Sequence, residues 1–215
     1  MRLENGWLDL SRLLRNDSKP FPGDPSLEIN KIADFDSEGY LLTKIATGMH
    51  LGTHIDFPAH FLNGGKSAAD YPVNRFIGIA SRIDIAPVRG VIGTETIIDA
   101  LDKLTERAEI VVLCTGHGQS WGDESYYSAY PYFEVGISEQ LANRKVGLLF
   151  TDLPTVAYEN DDDGRLHRDL LGKDILIGEN LSIPKALGRR FYFCALPLPI
   201  FGIEASIVRA IAKNI

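Results

Sequence analysis

The sequence predicts one mixed domain of strands and helices, α/β or α+β in class, over residues 1–215. Short apolar runs of the kind that form buried strands recur at residues 110–113, 146–151 and 191–195. Helix-type patterns at residues 94–104, 138–144 and 166–171 alternate with them. A chain of 215 residues is long enough to bury a full core as one domain, and no internal repeat divides it.

Taken in order, Trp7-Leu8-Asp9-Leu10-Ser11 alternates as a short strand does. Residues 19–25 hold three prolines and a glycine, which makes a stiff loop. Phe21 within it is either a wall of a binding pocket or a hydrophobic plug. Residues 27–32 and 40–47 read as strands around a polar turn at 34–39, and the second leads straight into residues 50–60. The loop Asn63-Gly64-Gly65-Lys66-Ser67 lacks the Gly-x4-Gly-Lys-Ser/Thr spacing of a phosphate cradle. After a strand region at 77–88, residues 94–104 place Ile97, Ile98, Leu101 and Leu104 on one helical face, with Asp99 and Asp102 outward.

The buried strand 110–113 ends at Thr115-Gly116-His117-Gly118, where His117 reads as a surface loop histidine. A helix at 138–144, a strand at 146–151 and a polar loop at 152–163 follow. The run Asn160 to Gly164 fails as a calcium loop, because Leu170 stands where the last carboxylate ligand is needed. A short helix at 166–171 bears His167, a strand at 175–177 ends at Gly178-Glu179-Asn180, and 191–195 is the last buried strand. The pattern leaves the type of residues 205–212 open.

A formal charge of −7 and a pI near 5.2 weigh against a nucleic-acid partner, since phosphate contacts need a basic surface. No apolar stretch approaches the ~18 residues of a membrane span, and the first residues lack the apolar core of a secretory signal. Cys114 and Cys194 lie in apolar runs and read as buried thiols. The expectation is a soluble, cytoplasmic protein.

The chemistry concentrates in His50-Leu51-Gly52-Thr53-His54-Ile55-Asp56-Phe57-Pro58-Ala59-His60, which holds three of the five histidines in the chain. Imidazole and carboxylate are the usual ligands of zinc and neighbouring first-row metals. Without a cation, so many clustered polar groups would be costly to satisfy. An extended strand would set His50 and His54 roughly 13 Å apart, too far to share one ion, so a bend at Gly52 is expected. Beyond it a short extended piece points His54, Asp56 and His60 to one side, and Ile55, Phe57 and Ala59 to the core.

The His-x-Gly-Thr-His-x-Asp-x-Pro-x-His pattern resembles the signature of the cyclase-like metal-dependent hydrolases, which include kynurenine formamidase and isatin hydrolase. Pro22-Gly23-Asp24, Thr151-Asp152, His167, Glu179-Asn180-Leu181 and Ala195-Leu196-Pro197-Leu198 extend the similarity along most of the chain. The resemblance implies a single swivelling β/β/α domain, a homodimer or homotetramer, and a small-molecule substrate. It implies that His50, His54 and Asp56 hold a first metal, and that Asp56 bridges to a second completed by His167 and Glu179. His60 would be the acid–base residue. The ion would be Zn2+, one or two, or alternatively Mn2+.

The activity implied is hydrolysis of a small formamide or amide by metal-activated water. Opening of a cyclic amide or lactone, and a metal-holding binding protein without catalysis, are the alternatives. His60 argues against the last, because a site that only holds metal has no use for an added acid–base group. No Gly-x-Ser-x-Gly elbow supports a serine nucleophile. In the kynurenine formamidase branch a tryptophan typically stands at Phe21, the presumed substrate-facing position, and a small residue at Phe57; both changes would reshape an aromatic pocket. The usual aspartate near the C-terminus is Glu204 here, a position read as structural.

Overall fold

The computed structural model describes residues 4–104, 106–158 and 163–215. The first third of the chain carries β1 (Trp7–Asp9), β2 (Glu28–Ala33), α1 (Phe35–Glu38), β3 (Leu42–Ala46), β4 (His54–Asp56) and β5 (Ile77–Asp84). The middle carries β6 (Val91–Ile92), α2 (Thr94–Leu101), β7 (Ile110–Cys114), β8 (Tyr132–Phe133), α3 (Ile137–Asn143) and β9 (Leu148–Thr151). The remainder carries α4 (Arg165–Gly172), β10 (Leu176–Glu179), β11 (Arg190–Leu196), β12 (Ala205–Ile207) and β13 (Arg209–Asn214).

Nine strands join one sheet in the order β1-β13-β11-β5-β7-β9-β10-β4-β12. Its parallel centre is β5-β7-β9-β10, and β7, β9 and β10 are buried on both faces nearly throughout, as central parallel strands require, whereas β5 is partly exposed. Antiparallel strands flank that centre on each side. On one face α2, α3 and α4 cover Val111, Leu149 and Ile177 with Ile97, Leu141 and Leu170. On the other the sheet curls over a core built from Phe57, Phe76, Phe150, Phe191 and Phe193.

The strands and helices expected from periodicity form at nearly the expected places. Residues 34–39, expected as a turn, contain α1, because Asp34 caps the amides of Asp36 and Ser37 and Gly39 closes the helix at φ 75°. The undecided residues at the C-terminus form β12 and β13, which pair with β4 and β11. β6 and β8 are two residues each, too short to leave a pattern. Residues 159–162, which hold most of the rejected calcium loop, lie outside the described residues. No helix among the described residues is long and apolar enough to cross a membrane.

Both cysteines are half-buried free thiols, and burial pushes Cys114 up to about 11.

The parallel centre also dictates a glycine beside the functional region. Gly178 pairs with Phe150 across β10 and β9, and a Cβ on it would lie 2.2 Å from the Phe150 ring. Gly178→Ala is therefore expected to lower unfolding free energy by about 1–3 kcal/mol, the usual range for overpacking. Urea denaturation at fixed metal concentration reads this, and an unchanged midpoint would show that the ring has room to move.

Candidate metal centre

The expected bend is present at Gly52, which has φ +64°, and a Cβ there would meet Leu14 at 2.6 Å. The Gly52 carbonyl accepts a hydrogen bond from His54 Nδ1 at 2.8 Å, so Nε2 is the nitrogen presented inward. Along β4, Ile55 and Phe57 enter the aromatic core while His54 and Asp56 face the other way. The alternation stops at Pro58, which opens a 3-10 turn, Pro58–His60. Ala59 is consequently half-buried instead of a core residue, and His60 turns back to lie against His50, ring centroids 4.2 Å apart.

Strand pairing assembles the rest. β4 lies antiparallel to β10 with His54 opposite Glu179, which places both side chains on the face covered by α4. α4 delivers His167 to the same point, and Phe61 stacks on its ring at 4.7 Å.

Asp56 is the hub of the cluster. Its Oδ1 lies 3.0 Å from His50 Nδ1 and 3.3 Å from His54 Nε2, and its Oδ2 lies 3.9 Å from His167 Nε2. Glu179 reaches His54 Nε2 at 3.5 Å through Oε2, and His167 Nε2 at 3.4 Å through Oε1. Val156 N–H fixes Glu179 Oε1 from behind at 3.1 Å.

The charges are strongly coupled. Burial works against the Asp56 anion, yet the imidazoles of His50 and His54 hold its carboxyl well below the usual range. Burial and Asp56 both oppose the Glu179 anion, and His167 and His54 more than offset them. Burial also disfavours a charged His54, but Asp56 and Glu179 outweigh it and push that imidazole up to about 10. His60 moves the other way: burial, the largest cause, lowers it, and although Asp56 and Glu179 favour its charged form the net direction is down.

These residues fit a divalent cation. Although they lie at ion-pair distances, His54 Nε2 and both Asp56 carboxylate oxygens are buried without a hydrogen-bond partner, as is Nδ1 of His167. Donor atoms converge in two groups that share Asp56, with separations inside 4.8 Å: His50, Asp56 and His60, and His54, Asp56 and Glu179. The second group places His54 with Glu179, whereas the resemblance paired it with His50.

The other sequence candidates fall elsewhere. Phe21 is half-exposed and meets Tyr127 edge-on at 5.8 Å. Phe57 is buried against Tyr71 and Phe76, on the opposite side of β4 from Asp56. It cannot reshape a substrate pocket, contrary to the expectation from sequence. His117 is half-buried instead of lying at the surface, with Nε2 2.9 Å from the Tyr126 carbonyl.

Several residues, some of them landmarks of the resemblance, have supporting contacts that the sequence reading does not assign. Arg12 bonds the carbonyls of Asn180 and Leu181 and, through its backbone N–H, Thr53 Oγ1. It thereby ties the approach to β4 to the end of β10. Asn180 Oδ1 accepts from Tyr126 O–H at 2.7 Å. Asp152 gathers the amides of Thr115, Gly116 and Gly118 behind the centre. Glu204, just ahead of β12, places Oε1 3.4 Å from His50 Nε2. No local pattern marks these residues, because each acts across more than 30 positions of sequence.

A family model described as "Putative cyclase" matches residues 8–158. The chain is 27% identical to kynurenine formamidase of Bacillus mycoides, covering 97% of this chain and 98% of that protein. A solved structure titled as a potential metal-dependent hydrolase with cyclase activity superposes with a TM-score of 0.83 and 18% identity, covering 97% of this chain and 98% of the other. An isatin hydrolase bound to the product analogue thioisatinate superposes with a TM-score of 0.84 and 21% identity, covering 96% and 91%. These likenesses bear out the swivelling β/β/α fold.

Proposed function

Since the chain belongs to the cyclase family, we propose that it is a metal-dependent hydrolase acting on a small aryl formamide or related amide. Hydrolysis is the activity named for its relatives, kynurenine formamidase at 27% identity among them. The observation that carries the proposal is the convergence on Asp56 of His50, His54 and His167, with both carboxylate oxygens unpaired. Nitrogen and oxygen donors of this kind suit zinc, in one or two sites, with manganese as the alternative. When bound, the ion supplies Lewis acidity and an acidified water near neutral pH.

The protein's own groups then have distinct tasks. His54, held by the Gly52 carbonyl, and Glu179, held by Val156 N–H, are fixed ligands that need no reorganisation. His60 is kept neutral by burial and its imidazole neighbours, so an imidazole nitrogen is free to take a proton from the attacking water. The same nitrogen returns that proton to the leaving amine. Phe21, braced by Tyr127, offers the aromatic surface for an aryl group.

Ring opening of a cyclic amide is the second reading, supported by the isatin hydrolase superposition and by phenylalanine at position 21. Both readings are tested by assaying N-formylkynurenine and isatin side by side on protein of known metal content. Turnover of one substrate selects its branch. A metal-loaded protein inactive on both, and on a wider amide and lactone panel, would overturn the hydrolase reading.

A further inference from the structure

We infer that Glu204 is a positioning residue for the metal centre: its carboxylate orients His50 so that Nδ1 is left bare to face the ion. The inference rests on the metal-dependent reading above and adds a residue to it.

His50 has one ring nitrogen on each side of the question. Nδ1 faces the hub, 3.0 Å from Asp56 Oδ1, yet that oxygen has no hydrogen-bond partner, so the two atoms converge without bonding. Nε2 faces outward to Glu204 Oε1 at 3.4 Å. A neutral imidazole carries its proton on one nitrogen and a lone pair on the other. With a cation at the hub, Nδ1 would give its lone pair to the ion, and the proton would then stand on Nε2, facing Glu204 Oε1.

The neighbouring ligand is arranged on the same logic with different parts. His54 is fixed through Nδ1 by a backbone carbonyl and presents Nε2. His50 has only a side chain to do this work, and it also needs it more. It is 19% exposed against 1% for His54, and it sits in a turn before β4 instead of within the strand.

Glu204 is itself well placed to hold that role. Its backbone carbonyl accepts from Phe57 N–H at 2.8 Å, and Ala205 pairs with Asp56 in β12. The carboxylate is thus carried immediately ahead of a strand that is hydrogen-bonded to the strand bearing His54 and Asp56. It is 42% exposed, so removing it leaves the aromatic core intact. A partner at this remove typically contributes 10- to 100-fold in metal affinity.

The test compares the full-length parent with Glu204→Ala and Glu204→Gln. Each is stripped with a chelator, and zinc affinity is measured by competition with a chromophoric chelator. Expected is a 10- to 100-fold loss for Glu204→Ala and a smaller loss for Glu204→Gln, which keeps an acceptor oxygen. Long-range proton–nitrogen NMR of the zinc-loaded parent is expected to show His50 protonated at Nε2. An alanine variant that binds zinc within twofold of the parent, or a His50 protonated at Nδ1, overturns the inference and leaves the hydrolase reading standing. A parent that binds no zinc or manganese overturns both. Circular dichroism confirms that each variant is folded, and the glutamine variant carries the test if alanine fails to fold.

Discussion

Replacing His60 with alanine is expected to leave metal content near that of the parent while turnover falls by ~10²- to 10⁴-fold, the usual share of a positioned acid–base group. Asp56→Ala is expected to abolish both. The contrast follows from where the two side chains stand. Asp56 lies within 4 Å of three imidazoles, is 1% exposed, and belongs to both groups of converging donors. Without it, the two donor groups lose the carboxylate they share, and less negative charge remains to offset a buried cation.

His60 belongs to one group only, leans on His50 ring to ring, and is half-buried at the end of the 3-10 turn Pro58–His60. Elemental analysis and turnover measured on the same preparations separate the roles. If His60→Ala lost metal in step with activity, His60 would be a ligand, which its proximity to His50 and Asp56 permits. If the rate held, the acid–base role would be gone.

The centre was legible in sequence because most of it is local. His50, His54, Asp56 and His60 fall within eleven residues, and Gly52 and Pro58 announce the turns that fold them together. His167 and Glu179 needed more. Each sits at the right end of a short element, α4 or β10, but only the antiparallel register of β10 with β4 sets Glu179 opposite His54. That pairing runs between strands 125 positions apart, with no periodic trace at either end. Family resemblance supplied what periodicity could not.

The same reasoning explains the misses. Alternation from Asp56 sends Phe57 to the core, where it packs on Phe76, and it is the comparison with the kynurenine formamidase branch, which set it in an aromatic pocket, that fails. Glu204 was read as structural because its neighbour in space, His50, lies 154 positions away. The parallel strands β7, β9 and β10 are legible because burial on both faces writes continuous apolar runs. β12 is not, because three residues at a sheet edge write almost nothing.

Removing metal is expected to destabilise the protein by about 4 kcal/mol relative to zinc at a thousandfold excess over its dissociation constant. For a chain of this size each kcal/mol moves the melting temperature by ~2–4 °C, so the shift is roughly 8–16 °C. The expectation rests on the buried charges of the cluster. Asp56 and Glu179 are buried carboxylates held ionised beside buried imidazoles, and such charges are costly unless fully paired. A proton on His54 pairs them in part, but it leaves both Asp56 oxygens without a hydrogen bond.

A divalent ion held by Asp56, His54, Glu179 and His167 would fill those unmade contacts and link β4, β10 and α4, a site that the unfolded chain lacks. Thermal melts with chelator, then with zinc restored, read the effect. Asp56→Ala should melt at one temperature under both conditions, since it lacks the shared ligand. If zinc raised the melting point of Asp56→Ala as far as that of the parent, the stabilising ion would be bound elsewhere and Asp56 would lose its place at the hub.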